Sequence, residues 1–246
     1  MIKYLEGTVF NTDADMIVNT VNCVGAMGKG IALEYKLRYP KLYEEYRRLC
    51  QVGKITIGNV YCHKIDGQKI LSFPTKNHWR YPSKLEYVEA GLQDFSMRYK
   101  TFGIKSVAFP KLGTNNGGLR WDDVKILMEK YLGNLDIQVF ICLDSLTEAQ
   151  GMEHEMLKLL SKVLSNPIQT QRFSKELKLT EKIVDDLKYF RGNRIYQLSE
   201  IRSITSLRYE KIFKYLFQKV KSGDVSEFST LKDEPKVEQL TLDLRY

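Results

Sequence analysis

The chain has little of what builds disulfide scaffolds, zinc centres or membrane spans. Four cysteines, Cys23, Cys50, Cys62 and Cys142, are scattered through 246 residues without a Cys-x-x-Cys pair, a usage expected of reduced thiols in a cytoplasmic protein. Histidine is scarce, with only His63, His78 and His154. None has the His/Cys spacing of a zinc ligand set, so no metal and no metal cofactor are expected. No apolar run reaches the roughly eighteen residues that a spanning helix needs. The segment from Met1 to Gly7 also lacks the apolar core of a secretion signal, so neither a membrane partner nor export is expected.

What is present points to an ordinary globular protein. The length suits one domain of common size plus a smaller unit. A formal charge of +8 and a pI near 9.1 suit a polyanionic partner, although such an excess bears on attraction and not on fold.

The most informative stretch runs from Asn19 to Ala32. A β-branched run, Met16-Ile17-Val18, gives way to a loop with Gly25, Gly28 and Gly30, and an apolar periodic segment begins at Ile31. Strand, permissive loop and helix follow in that order. Glycine lets backbone N–H groups approach a ligand, and the first turn of a helix adds unpaired donors, so the natural guest is a phosphate or diphosphate. The loop fits neither a Walker sequence nor the dinucleotide fingerprint. A tight turn packed against a sheet is the plainer reading.

Residues 2–6 and 16–21 read as short strands, and 31–39 as a helix stopped by Pro40. Leu42, Tyr43, Tyr46 and Leu49 mark a second helix. Segments 59–64 and 69–73 flank Asp66-Gly67, a pair suited to a tight hairpin. Ser83-Lys84-Leu85-Glu86 has capping-box spacing and opens a long helix to about Gly103. A strand at 106–109, a second glycine loop from Gly113 to Leu119, a helix from Trp121 to Leu132 and a strand at 137–142 complete an alternating α/β pattern. In such sheets ligands sit beyond the carboxyl ends of the strands, where both glycine loops are expected.

After Asp144 the pattern turns helical. Helices are expected at 153–164, after Thr180, at 199–204 and at 206–221; Asn166-Pro167 is read as a break. The last two suggest a helix-turn-helix, possible core of a winged helix, with Arg208, Lys211, Lys214, Lys219 and Lys221 as a basic face. Such a face is more often merely solvated. Residues 237–244 alternate like an added strand. The expected division is 1–150 as the ligand-binding and catalytic domain, 151–178 as a helical connector, and 179–246 as a helical domain for a partner or DNA.

Four motifs in order, Val18-Asn19-Thr20-Val21-Asn22, Gly25 to Ala32, Phe73 to Arg80 with Lys76 at its centre, and Gly113 to Trp121, closely resemble a macrodomain. The resemblance covers residues 1–144 and is to the branch holding the DNA ADP-ribosyl glycohydrolase antitoxins and the lysine-dependent terminal ADP-ribose glycohydrolases. It implies a three-layer α/β/α fold with a mixed, largely parallel sheet and an ADP-ribose cleft. By that resemblance Thr8 and Val9 lie at the adenine, Asn22 holds hydroxyls of the distal ribose, and Asn19 braces the loop; taken alone, Asn22 also reads as a loop-capping asparagine. Gly25, Met27, Gly28, Lys29, Gly30 and Ile31 wrap the diphosphate, with Met27 read as a packing side chain. Thr75 lines the site, and Gly113, Thr114, Asn115, Asn116, Gly117, Gly118 and Leu119 close from the other side. Three positions depart from the pattern: Thr8 stands where many macrodomains carry aspartate, Asn115 where glycine is common, and Gly117 where the vertebrate lysine-dependent enzymes have an acid.

Lys76 is the implied catalytic residue, placed beside the anomeric carbon of the distal ribose. An amine there acts as nucleophile or as base, and either role requires it to lose its proton. Taken alone, Lys76 reads as a solvated loop lysine. His78, Trp79 and Arg80 are candidate substrate contacts; Trp79 reads equally as cleft wall or core, and Trp121 more as core. The implied function is removal of ADP-ribose from nucleobases of single-stranded DNA, with a cognate DarT-like ADP-ribosyltransferase toxin as partner and no cofactor. A non-catalytic ADP-ribose reader and a nucleotide-sensing DNA-binding regulator are the alternatives.

Overall fold

The computed structural model describes residues 1–223. Six strands form one sheet in the order β1-β6-β5-β2-β4-β3, with β1 Ile2–Leu5, β2 Met16–Asn22, β3 Tyr61–Ile65, β4 Gln68–Lys76, β5 Ser106–Pro110 and β6 Gln138–Cys142. All neighbours run parallel except β3 with β4. That pair is the hairpin read from Asp66-Gly67, whose positive φ values of 48° and 86° are those a two-residue turn of the right twist demands.

Side chains alternate across the sheet and build two layers. Val18, Phe73, Phe109 and Ile141 face α3 (Leu85–Arg98) and α4 (Trp121–Leu132), while Ile17, Ile70 and Ala108 face α1 (Gly30–Arg38) and α2 (Pro40–Gln51). The α3 face approaches so closely that a Cβ on Gly91 would lie 2.4 Å from the Phe73 ring. Pro40, expected only to stop α1, occupies the first turn of α2, where its missing N–H is harmless.

The expected capping box at Ser83 does not form. Lys84 is the N-cap of α3 with no side-chain cap bond, and the buried Ser83 Oγ has no hydrogen-bond partner among the described residues. Gly117 takes Ser83 out of capping position: the Ser83 N–H donates to its carbonyl oxygen at 2.9 Å.

Beyond β6 come α5 (Gly151–Ser165), α6 (Pro167–Leu177), α7 (Glu181–Lys188), a 3-10 turn (Ile195–Glu200) and α8 (Ser206–Lys221). Helix α6 was not expected. Asn166 ends α5 and its side chain caps α6 at the Gln169 N–H, with Pro167 in the first turn, so this pair starts a helix as well as stopping one. Leu159, Phe173, Leu187, Leu198, Ile212 and Leu216 share a single core, so residues 151–178 are structural partners of the later helices and not a connector. The first member of the expected helix-turn-helix is only the 3-10 turn. Residues 199–204 supply too few apolar positions for an α-helix: within them Ile204 is buried and Ile201 partly packed against the core. The alternating stretch 237–244, and with it any wing, lies outside the described residues.

Candidate active site

Strand β2 delivers Asn22 to the rim of the sheet, and the first glycine loop is built on its carboxamide. Asn22 Oδ1 accepts from the Val24 and Ala26 N–H groups at 3.1 and 3.2 Å, and Nδ2 donates to the Ala26 carbonyl oxygen at 2.7 Å. The Tyr46 hydroxyl reaches the Asn22 backbone oxygen (2.6 Å) and Oδ1 (3.2 Å). The loop-bracing part expected of Asn19 is therefore played by Asn22. Asn19 itself pairs in register with Ser72 inside the sheet, too deep to reach the loop, and its buried amide has no hydrogen-bond partner.

Gly25 takes a positive φ of 81° against α2. Met27 is 2% exposed and packs among Val21, Tyr46, Leu49 and Ile55. Its side chain is thus unavailable to a ligand, as its reading as a packing residue requires, leaving only its backbone to contribute. Gly28 faces open space, Lys29 is exposed at the N-cap of α1 without a side-chain cap, and Ile31 packs partly against the core. The uncapped N-terminus of α1 therefore presents free donors and a positive dipole end.

The second loop follows β5. Gly113 and Gly118 have positive φ, residues 115–117 make a 3-10 turn, and the Leu119 and Gly118 N–H groups close the loop onto Gly113 and Thr114 carbonyl oxygens. Thr114 is buried with Oγ1 donating to the Lys111 carbonyl oxygen; Leu119 lies partly against the core. Asn115 and Asn116 are exposed.

The two loops meet. A Cβ on Gly30 would lie 2.6 Å from Asn116 Nδ2. Lys76, at the carboxyl end of β4, binds to both: its backbone oxygen accepts from the Cys23 N–H at 3.1 Å, and its Nζ donates to the Asn116 carbonyl oxygen at 2.5 Å. Partial burial pushes the amine below its ordinary pKa. Thr75, just before it, is buried.

Past Lys76 the chain displays aromatic rings to solvent. Trp79 is 50% exposed and stacks on His78 with centroids 5.5 Å apart, the Arg80 guanidinium lies 4.7 Å over Trp79, and Tyr81, 64% exposed, tilts against His78. Trp121, in contrast, packs against the α3/α4 core. At the other end, Thr8 caps a 3-10 turn, Val9–Asn11, in a reciprocal box with Asn11, and Val9 is fully buried. The Thr8 hydroxyl is thus engaged within its own turn and the Val9 side chain lies in the core.

Two supporting residues escaped the sequence reading. Tyr46 anchors Asn22 but reads as one apolar position of a helix, and Ser83 supports Gly113 and Gly117 but reads as a cap. Tyr81 was also passed over, although an aromatic two residues from Trp79 in a polar loop is a usable signal.

The Macro domain family profile matches residues 18–128. A protein described as "DNA ADP-ribosyl glycohydrolase" from Mycobacterium tuberculosis is 50% identical over 129 residues, which are 51% of this chain and 37% of that protein. The solved "Macrodomain of Mycobacterium tuberculosis DarG" is 44% identical with a TM-score of 0.56, over 58% of this chain and 97% of that one. A "DNA ADP-ribosyl transferase-DNA ADP-ribosyl glycohydrolase fusion protein" from Thermosipho africanus is 35% identical over 58% of this chain and 42% of its own length. The structure titled "Thermosipho africanus DarTG in complex with ADP-ribose" matches at 34% identity and a TM-score of 0.54, over 58% of this chain and 42% of that one. The chain thus spans about two fifths of the length of these curated relatives. With its mixed six-stranded sheet, two opposed glycine loops and this likeness over almost the whole of a solved macrodomain, the chain belongs to the macrodomain family.

Proposed function

We propose that the cleft binds ADP-ribose and that the protein hydrolyses the bond joining ADP-ribose to a nucleobase of single-stranded DNA, reversing the product of a DNA ADP-ribosyltransferase toxin. One observation carries this reading: the Lys76 amine stands where the two glycine loops meet, its backbone on one and its Nζ on the other. A diphosphate cradled by the uncapped start of α1 and by the second loop leaves its distal ribose beside that amine. That relatives are described as DNA ADP-ribosyl glycohydrolases, one of them fused to a transferase, supports this choice of substrate and partner.

In the reaction the bond from the anomeric carbon to the base nitrogen breaks through a cation-like sugar; hydroxide from water ends on that carbon and a proton on the base. Lys76 acts at the anomeric carbon, either by direct attack followed by hydrolysis of the adduct or by deprotonating water. Each route needs a neutral amine, and the burial that lowers the Lys76 pKa favours one. Thr75, Asn115 and the backbone of Gly113 to Leu119 line the second side. The half-buried His78 and the exposed Trp79 and Arg80 stack on bases next to the modified one, a sequence-tolerant contact that unpaired strands permit.

The test is to incubate the protein with an ADP-ribosylated single-stranded oligonucleotide beside ADP-ribosylated protein and to measure released ADP-ribose. Clearance of the DNA adduct supports the reading. Calorimetric binding of ADP-ribose with no release from DNA would replace it with the non-catalytic reader.

A further inference from the structure

Among the described residues the helical unit meets two elements that shape the cleft, α1 and the 3-10 turn Val9–Asn11. Helix α1 begins in the first glycine loop and ends under α8: Leu37 is buried in the helical core, and Lys36 pairs with Glu210 at 2.7 Å. Arg38, 9% exposed, holds Glu34 through two bonds of 2.8 and 2.6 Å. Its guanidinium lies 4.3 Å from the Phe10 ring and 5.3 Å from that of Phe217 on α8. Phe10 sits in the 3-10 turn capped by Thr8, at the adenine end. The start of α5 meets the same turn, since Asn11 Nδ2 donates to the Gln150 carbonyl oxygen at 3.4 Å. The strand-to-α5 segment is in turn clamped by Arg194, bonded to Glu153, Asp144 and the Leu146 oxygen.

We infer that residues 151–223 are a brace for the ligand cleft, and that Arg38 is the positioning residue tying its adenine-end turn and its diphosphate helix to α8. The inference rests on the ADP-ribose reading of the cleft for its consequence in binding, and on geometry alone for its consequence in local rigidity. A guanidinium packed between rings from two elements, with its hydrogen bonds spent on a third, fixes all three relative to one another. Lys76 stands outside this linkage, on β4, so the brace governs how well the ligand is held and not the chemical step.

The experiment uses the full chain with Arg38→Lys and, separately, Phe217→Leu. Hydrogen exchange without ligand should quicken about tenfold in residues 8–12 and in α1 while β4 and β5 stay protected, and the Kd for ADP-ribose should rise about tenfold with the saturated rate of release from DNA unchanged. Unchanged exchange in the turn and in α1, or equal acceleration across the sheet, overturns the inference. Should the parent chain bind no ADP-ribose, the proposed function fails, while the exchange comparison still decides whether the brace exists.

Discussion

Lys76 Nζ donates to the carbonyl oxygen of Asn116 at 2.5 Å, so the amine at the end of β4 is fixed by the loop that follows β5. Strand β2 separates those two strands in the sheet, and it carries the other glycine loop. The geometry brings one amine and two backbone arcs together without a flexible tether, which removes orientational freedom that a free lysine would have to lose in reacting.

That arrangement depends on Gly117. A Cβ there would lie 2.5 Å from Ser83 Oγ and 3.1 Å from Ser83 Cβ, pushing the 3-10 turn and the Asn116 oxygen out of place. Gly117→Ala should lower release of ADP-ribose from DNA about tenfold, a cost of about 1 to 2 kcal/mol typical of overpacking. Adding Ser83→Gly should restore most of it. A Gly117→Ala protein with the parent rate would show that the loop position does not matter.

Ser83 also separates the structure from the reading of its sequence. A capping serine loses about 1 kcal/mol of stability on mutation to alanine, whereas a buried hydroxyl without a partner costs little or nothing to remove. With Oγ unpartnered, Ser83→Ala should leave the urea midpoint unchanged or raise it. A clear drop would restore the cap.

Much of the fold was legible because its signals are local. Continuous apolar runs marked the central strands, Asp66-Gly67 marked the hairpin, and periodic apolar positions placed α4 at its observed ends. Ser83 was misread because the same four residues permit a cap or a tertiary contact, and only Gly117, far along the chain, decides between them. Asn19 was expected to brace the loop because two asparagines lie three residues apart in one motif, and only the register against β4 shows that Asn19 lies within β2 while Asn22 ends it. Helix α6 was missed because Asn166-Pro167 serves as either a stop or a start. The meeting of Lys76, Asn116 and Gly30 joins three distant segments, and spacing alone does not express it.

His63 gives the stability a pH dependence. It is 1% exposed, with Nε2 2.9 Å from Ser72 Oγ, Nδ1 3.2 Å from Glu45 Oε1 without hydrogen-bond alignment, and the Tyr61 ring 4.8 Å away. Burial lowers its pKa in the fold, with Glu45 opposing. The unfolded chain then binds the proton first, so this contribution is present above the ordinary value of 6.5 and is lost as pH falls through the lower folded value. Urea midpoints should decline from pH 7.5 to 5, and His63→Gln should flatten that slope. An equal slope in both proteins would exclude His63 as its source.

Trp79 offers a surface test. Half exposed and stacked on His78 and under Arg80, it should be removable without loss of fold. Trp79→Ala should keep the parent melting temperature and ADP-ribose affinity, yet raise KM for modified single-stranded DNA by tenfold or so, within the roughly 1 to 3 kcal/mol of one stacked base. An unchanged KM would place the DNA elsewhere.

The most direct test is the rate at which Lys76→Ala releases ADP-ribose from a modified single-stranded oligonucleotide, measured beside its calorimetric affinity for free ADP-ribose. An amine acting at the anomeric carbon predicts release reduced to background with binding kept within a few-fold of the parent. Release at the parent rate by the alanine protein would contradict the account.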